Sequence, residues 1–159
     1  MITKTILPLS FFSILCFSYL PGLQMDGYAI VSSVDKHNKY HMTLTHVQTP
    51  HIAIAKKVEK LVLKFIATNY PITHNHCHLS WISDLGKREM WGKNSLKMGG
   101  EVETFKQALH DHLAANKKIG KFIAPYRIAH VNIAGDKNAP LYKQVRVDDI
   151  YLMPVYKKQ

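Results

Sequence analysis

Two short histidine-containing segments constrain this chain more than any other feature of its sequence. Residues 41–43 read His-Met-Thr and residues 130–132 read His-Val-Asn, the two histidines stand 89 positions apart, and both segments lie in apolar runs typical of β-strands. Because side chains alternate between the faces of a strand, each histidine projects beside the polar residue two positions later, Thr43 or Asn132. We call these segments the first and second triplets. Placed side by side, they bring two imidazoles and two small hydrogen-bonding groups into one cleft, a set suited to cleaving a phosphate ester without a metal.

The chain is strongly basic and long enough for one domain with a real core. Lysine and arginine total 21 against 11 acidic residues, a formal charge of +10 over 159 residues. Such a balance favours polyanionic partners, namely nucleic acid, phosphorylated metabolites or an anionic membrane face. No repeat of roughly 20–50 residues and no low-complexity tract is present, which argues against a solenoid or a long disordered tail.

The first 24 residues differ in composition from the rest of the chain. A basic residue precedes an apolar stretch over residues 6–20, Pro21-Gly22 follows, and no acidic residue occurs before Asp26. This pattern predicts a secretory signal peptide over residues 1–24. The apolar stretch is short for a membrane span, which needs roughly 20 residues. An uncleaved anchor and a buried first strand are the alternatives.

Cleavage of this leader would make the protein secreted or periplasmic, whereas retention would leave it cytoplasmic or membrane-anchored. Cleavage would also remove Cys16 and leave Cys77 as one thiol with no internal disulfide. We expect no stable membrane contact after leader removal.

The hydrophobic pattern predicts the order β-β-α-β(β)-α-β-β, an α+β domain with mixed or antiparallel sheets. The first helix is predicted to begin at Thr49-Pro50, since threonine caps helix N-termini and proline favours the first helical position. The second helix is predicted to follow the Gly99-Gly100 break. Their buried faces are predicted to comprise Ile54, Val58, Leu61, Val62 and Phe65 in the first helix and Val102, Phe105, Leu109 and Leu113 in the second. Strands are predicted over residues 28–34, 40–47, 74–82, 84–92, 127–134 and 144–155, the last as one strand or a bent pair.

Histidine chemistry explains why the two triplets matter. An unperturbed imidazole has a pKa near 6.5, so its neutral and protonated forms are both accessible near neutrality. One histidine can take a proton from water while the other gives a proton to a leaving ribose oxygen. Thr43 and Asn132 can each donate a hydrogen bond to a non-bridging phosphate oxygen. Arg127, three positions before His130, is a candidate for raising the affinity for the anion.

The chain resembles the 2H phosphoesterase superfamily, which comprises 2′-5′ RNA ligase-like proteins and cyclic nucleotide phosphodiesterases. The segment YHMTLTHV matches the first family motif, a histidine, any residue, then threonine or serine and a hydrophobic residue, and AHVNIAGD matches the position and apolar frame of the second. The later QVRVDDIYLMP is similar to the strand that follows the second motif. The resemblance covers residues 26–156. It implies that residues 25–159 form one two-lobed α+β domain, with antiparallel or mixed sheets, flanking helices and a central cleft.

The resemblance implies a metal-independent phosphoesterase that hydrolyses 2′,3′-cyclic phosphates or related RNA-end phosphodiesters. His41 and His130 would form the acid–base pair, with Thr43 as a phosphate ligand and Asn132 at a position where the family places threonine or serine. We expect no cofactor and no metal, a monomer, and a nucleotide or RNA with a cyclic or terminal phosphate as partner rather than DNA. Two further tyrosines lie near strand ends that relatives use around the cleft and are candidates for stacking on a base, namely Tyr126 and Tyr156.

Two other functions stay open at the sequence level. Asn132 is compatible with a catalytically weakened module of the same fold that binds nucleotide or RNA. The run His74, His76 and His78 is compatible with an exported histidine-rich metal-binding protein, because imidazoles two positions apart share a strand face. His78 with Ser80 also imitates a second triplet, but it follows the first too closely and suits a neighbouring strand of the same lobe.

Overall fold

The computed structural model describes residues 22–34, 40–70, 78–80, 90–134, 136, 138–139, 144–146 and 150–158. These residues form eight strands and two α-helices. In chain order they are β1 Leu23–Ser33, β2 His41–Val47, α1 Ile52–Asn69, β3 His78–Ser80, β4 Met90–Trp91, β5 Ser95–Lys97, α2 Gly100–Ala114, β6 His130–Asn132, β7 Gln144–Arg146 and β8 Ile150–Lys158. The predicted α+β class is confirmed.

Six strands form one sheet in the order β4-β5-β6-β2-β1-β8, and every neighbouring pair in it is antiparallel. The strands of the two triplets, β2 and β6, are adjacent at the centre of this sheet. β3 and β7 form a separate two-stranded antiparallel sheet. β3 is therefore no neighbour of β2, and the expectation that the strand of His78 lies beside the first triplet is wrong.

Both helices contribute to one hydrophobic core with one face of the large sheet. The sheet supplies residues such as Met42, Leu96 and Val131, each fully or almost fully buried. All four residues predicted for the buried face of α2 are 0% exposed, and Val58, Val62 and Phe65 of α1 are buried as predicted. The other two predicted residues of α1 are partly buried and pack against the core, namely Ile54 and Leu61.

Helix α1 begins later than predicted. Thr49 does not cap the helix, because its hydroxyl oxygen accepts a hydrogen bond from the backbone N–H of His51 at 3.3 Å. This local turn occupies the residues before Ile52, and His51 takes the N-cap position without a side-chain bond to the helix.

Several predicted strands are shorter or divided. The segment predicted as a strand over 127–134 has ladder pairing over His130–Asn132, because helix side chains take the backbone groups that precede it, as described below. The segment 84–92 contributes β4, whose partner β5 was not predicted. The segment 144–155 contributes two strands that belong to different sheets, β7 and β8.

The predicted leader lies largely outside the described residues, which begin at residue 22. β1 starts at Leu23, within the last two residues of the predicted leader, and pairs there with Lys158. Among the residues that the structure describes, no helix has both the length and the apolar character needed to span a membrane.

Candidate functional site

The two triplets lie against each other in antiparallel register. Met42 at the centre of the first pairs with Val131 at the centre of the second. Continuing this ladder by one residue on each side places His41 opposite Asn132 and Thr43 opposite His130. The two histidines are therefore diagonal neighbours, an arrangement in which residues lie roughly 7–8 Å apart and their β-carbons somewhat closer.

All four histidine and polar side chains of the triplets project from the sheet face opposite the core. Met42 and Val131 are 0% exposed and belong to the core, so by alternation their neighbours point to the other face. His41, Thr43 and His130 are half-buried there, and Asn132 is exposed. The sequence-level expectation that the two imidazoles share one surface thus agrees with the strand register.

Strand pairing adds further residues to this face. Lys97 of β5 pairs with His130, so its half-buried side chain extends the row formed by Thr43 and His130. On the other side, Val31 pairs with both Thr43 and Tyr151, which brings the exposed Tyr151 to the same row. Sequence reasoning missed Lys97 because β5 itself was not predicted.

Side chains from α2 fix the segment that leads into the second triplet. One carboxylate oxygen of Glu103 accepts the backbone N–H of Ala129 at 2.6 Å, and the other accepts the hydroxyl of Tyr126. The ammonium group of Lys106, a residue only 4% exposed, donates to the carbonyls of Arg127 at 2.7 Å and Ile128 at 3.1 Å. These bonds replace ladder bonds and explain why β6 begins at His130.

The same segment orients the ring of His130. Its Nδ1 lies 2.7 Å from the carbonyl oxygen of Ile128, which can only accept, so Nδ1 carries the hydrogen. In the neutral ring the basic nitrogen is then Nε2. The chain of bonds from Lys106 to Ile128 to His130 makes the second imidazole dependent on α2.

The electrostatics of this face favour neutral imidazoles in the absence of a ligand. Burial lowers the pKa of His41 below its ordinary value. Burial also lowers the pKa of His130, with help from the charges of Lys106 and Arg127, while the bond to Ile128 and the charge of Glu103 oppose the shift. The pKa of Lys106 itself falls to about 8, mainly through burial. A bound anion would act against these shifts.

The side-chain oxygen of Asn132 takes part in a turn. Its Oδ1 accepts the backbone N–H of Ala134 at 2.8 Å, and Ala134 adopts a φ of 49°, in the left-handed region. This bond assigns the amide orientation and makes the NH₂ group the donor that the side chain can offer to an anion. Asn132 thus ends β6 and supplies a donor on the triplet face.

The three remaining predicted residues fall in different places. Arg127 is exposed and Tyr126 is half-buried, and both line a cleft of about 230 Å³ beside the end of β2. Tyr156 pairs with Met25 rather than with the residues beside the triplets. Met25 lies six residues before Val31, which is about 20 Å in an extended strand. The register therefore does not bring Tyr156 to the triplets.

His46 also lines this cleft, and sequence reasoning did not single it out as a site residue. A bulge brings it there: Val31 pairs with Thr43 and Ala29 pairs with His46, so an extra residue is accommodated between them. Positions three apart on a regular strand face opposite ways, but here Thr43 and His46 share a face. A hydrophobic pattern does not reveal such a bulge.

The proposed metal-binding histidines are not tested by the described residues. His74 and His76 lie outside them, and the side chain of His78 is not described. Within the part of the chain that the structure describes, no group of three or more histidine, cysteine, aspartate or glutamate side chains is arranged to hold a metal ion.

Comparison of the chain with protein-family models, with curated proteins and with solved structures finds no match.

Proposed function

We propose that this protein is a phosphoesterase of the 2H type that hydrolyses 2′,3′-cyclic phosphates or RNA-end phosphodiesters by acid–base catalysis with His41 and His130. The observation that carries the proposal is the pairing of Met42 with Val131, which sets both triplets on one face of adjacent strands. The local sequence of two strands 89 positions apart does not require them to pair with their polar residues on the same face.

In the proposed reaction His41 is the base and His130 the acid. His41 takes a proton from water, the water oxygen attacks phosphorus, and the bond from phosphorus to one ribose oxygen breaks. His130 gives its proton to that oxygen, which yields a nucleoside monophosphate with a free ribose hydroxyl. The assignment rests on the carbonyl of Ile128, which favours the imidazolium of His130, whereas burial alone acts on the pKa of His41.

Three other groups on the face suit the phosphate. Thr43 and the NH₂ group of Asn132 are donors for the non-bridging oxygens, where negative charge develops. Lys97, in the row next to His130, adds a positive charge on the side away from β2. A phosphate between the rings would raise the pKa of both histidines and so help to protonate the acid.

The sheet also divides in a way that suits the two-lobed arrangement. One half contains β8, β1 and β2, the other contains β4, β5 and β6, and each places its triplet strand at the central seam. We propose that these halves are the counterparts of the two lobes, with the reaction centre over the seam.

The test is to incubate the purified chain with adenosine 2′,3′-cyclic phosphate, with and without EDTA, and to identify the product. We expect hydrolysis that EDTA does not reduce. His41→Ala and His130→Ala should each abolish turnover with an unchanged circular dichroism spectrum, while His51→Ala, a change at an exposed histidine outside the triplets, should keep full activity. Hydrolysis that EDTA abolishes, or that survives both triplet variants, would overturn the proposal.

A further inference from the structure

The cleft beside the end of β2 is lined by an arginine, a histidine and a tyrosine together. It combines Arg127, His46 and Tyr126 with the backbone of Gly27 and the side chain of Gln48. Gly27 is required there by packing, because a β-carbon at this position would lie 2.1 Å from the carbonyl oxygen of Val47. The cleft therefore lies where the backbone of β1 closely approaches the end of β2.

Cationic groups outnumber acidic groups among the charged groups that act on His46 in the cleft. The pKa of His46 is lowered by burial and then by the charges of Arg127, Lys106 and His130, whereas Asp26 is the one group that raises it. Asp26 is also the one acidic residue of the lining, and its carboxylate is paired with Lys157 at 2.9 Å. Arg127 therefore lies in a lining that contains no carboxylate other than the one paired with Lys157.

The size of the cleft selects the kind of anion. Its volume of about 230 Å³ is below the roughly 300–1,000 Å³ of sites that enclose drug-sized ligands. A phosphodiester group with part of a sugar is small enough for this volume. The exposed guanidinium of Arg127 suits such a group, because it can bind two oxygens of one phosphate.

The cleft lies in line with the triplets. Thr43 and His46 share one face of β2 and pair with residues only two positions apart in β1, so they stand about 7 Å apart along the sheet, on the scale of one nucleotide unit. The cleft and the triplets therefore lie on the same face of the sheet, next to each other along β2. We propose that the cleft binds the phosphate on the 5′ side of the terminal nucleotide, so that the preferred substrate is an RNA end rather than a free cyclic mononucleotide. This inference rests on the proposed function.

The experiment compares two substrates that share the same terminal nucleotide. One is adenosine 2′,3′-cyclic phosphate, and the other is a dinucleotide that ends in it. We expect kcat/KM to be roughly tenfold higher for the dinucleotide, as one charge-assisted contact allows. In Arg127→Ala the ratio of the two values should fall towards one, whereas in Lys117→Ala, which removes an exposed lysine outside the lining, it should stay at the wild-type level.

Equal kcat/KM for the two substrates in the wild type, or a dinucleotide preference that persists in Arg127→Ala, would overturn the inference. Absence of any hydrolysis would instead overturn the proposed function. In that case the inference is tested by comparing the affinities of the protein for a 3′-phosphorylated dinucleotide and a 3′-phosphorylated mononucleotide. The dinucleotide should bind more tightly, with a plot of log Kd against log salt that is steeper by about 0.7. Equal affinities and equal slopes would reject the cleft as a phosphate site.

Discussion

The two triplets share one sheet face, but different parts of the fold hold them in place. The first lies in the seven-residue strand β2, which pairs with β1 along nearly its whole length. The second lies in the three-residue strand β6, and the segment before it is bound to Glu103 and Lys106 of helix α2. His41 is thus placed by the sheet, whereas His130 is placed by helix side chains, and only the second should respond to changes in α2.

The largest expected effects separate the roles of the two histidines. His41→Ala and His130→Ala should each lower kcat on a cyclic nucleotide by roughly 10²–10⁴-fold, the range of a lost general acid or base. Bis(p-nitrophenyl) phosphate has a leaving group that needs no protonation. On this substrate His130→Ala should keep most of the wild-type rate, while His41→Ala should not. The opposite pattern would exchange the two roles.

The next effect concerns the polar residues of the triplets. Asn132→Asp keeps an oxygen to accept the N–H of Ala134 but replaces the NH₂ donors by a negative charge. If Asn132 donates to phosphate, kcat/KM should fall about 10²–10³-fold while the thermal midpoint stays near the wild-type value. An unchanged kcat/KM would show that the side chain serves the turn alone. Thr43→Val removes the corresponding donor of the first triplet, so its effect on kcat/KM provides the comparison.

A smaller effect should be specific to the second triplet. Glu103→Gln weakens the anchoring of Ala129 and removes a charge that raises the pKa of His130. We expect kcat to fall about tenfold to a hundredfold through misplacement of the ring. The alkaline limb of the pH–rate profile, which reports the protonated acid, should move to lower pH. KM should change less than kcat.

Glu101→Gln is the matched control for this prediction. Glu101 lies in the first turn of the same helix and is exposed. Its replacement should leave both limbs of the profile and kcat at wild-type values. If Glu101→Gln and Glu103→Gln shift the profile equally, the effect is a general one of net charge rather than of the bonds to the segment before His130.

The sequence predicted the histidines of the site and the buried apolar residues better than the long-range contacts that hold the site in place. Alternation alone placed each histidine with its polar partner, and helical spacing identified every buried apolar residue of α2. The position of Lys106 was a signal that went unused: it lies four residues after Val102 and three before Leu109, inside the apolar stripe, where a charge needs buried partners. Those partners are backbone carbonyls of a distant segment, which no local pattern identifies.

Other parts of the site depend on non-local geometry. His46 reaches the triplet face through a bulge in the pairing of β1 with β2, and Lys97 reaches it because β5 pairs with β6. Neither strand register is encoded in a short window of sequence, since it depends on which strands meet. The separation of β7 from β8 has the same origin: the segment 144–155 is predicted as one strand or a bent pair, but its two strands pair with different partners.

The smallest effect concerns stability, and it extends the comparison to all three half-buried histidines of the face. Burial lowers the pKa of His41, His46 and His130 below the ordinary value of 6.5, so the folded protein binds fewer protons than the unfolded chain below that pH. Their contribution to stability is complete above pH 6.5 and is lost as the pH falls through the folded pKa values.

The urea midpoint should therefore decrease between pH 7 and pH 5. The decrease should be smaller in His41→Gln and in His130→Gln than in His51→Gln, which leaves the face intact. Added phosphate should reduce the loss, because an anion between the two triplets stabilises their imidazolium forms. Equal slopes in all three variants would indicate that groups elsewhere govern the acid sensitivity of the protein.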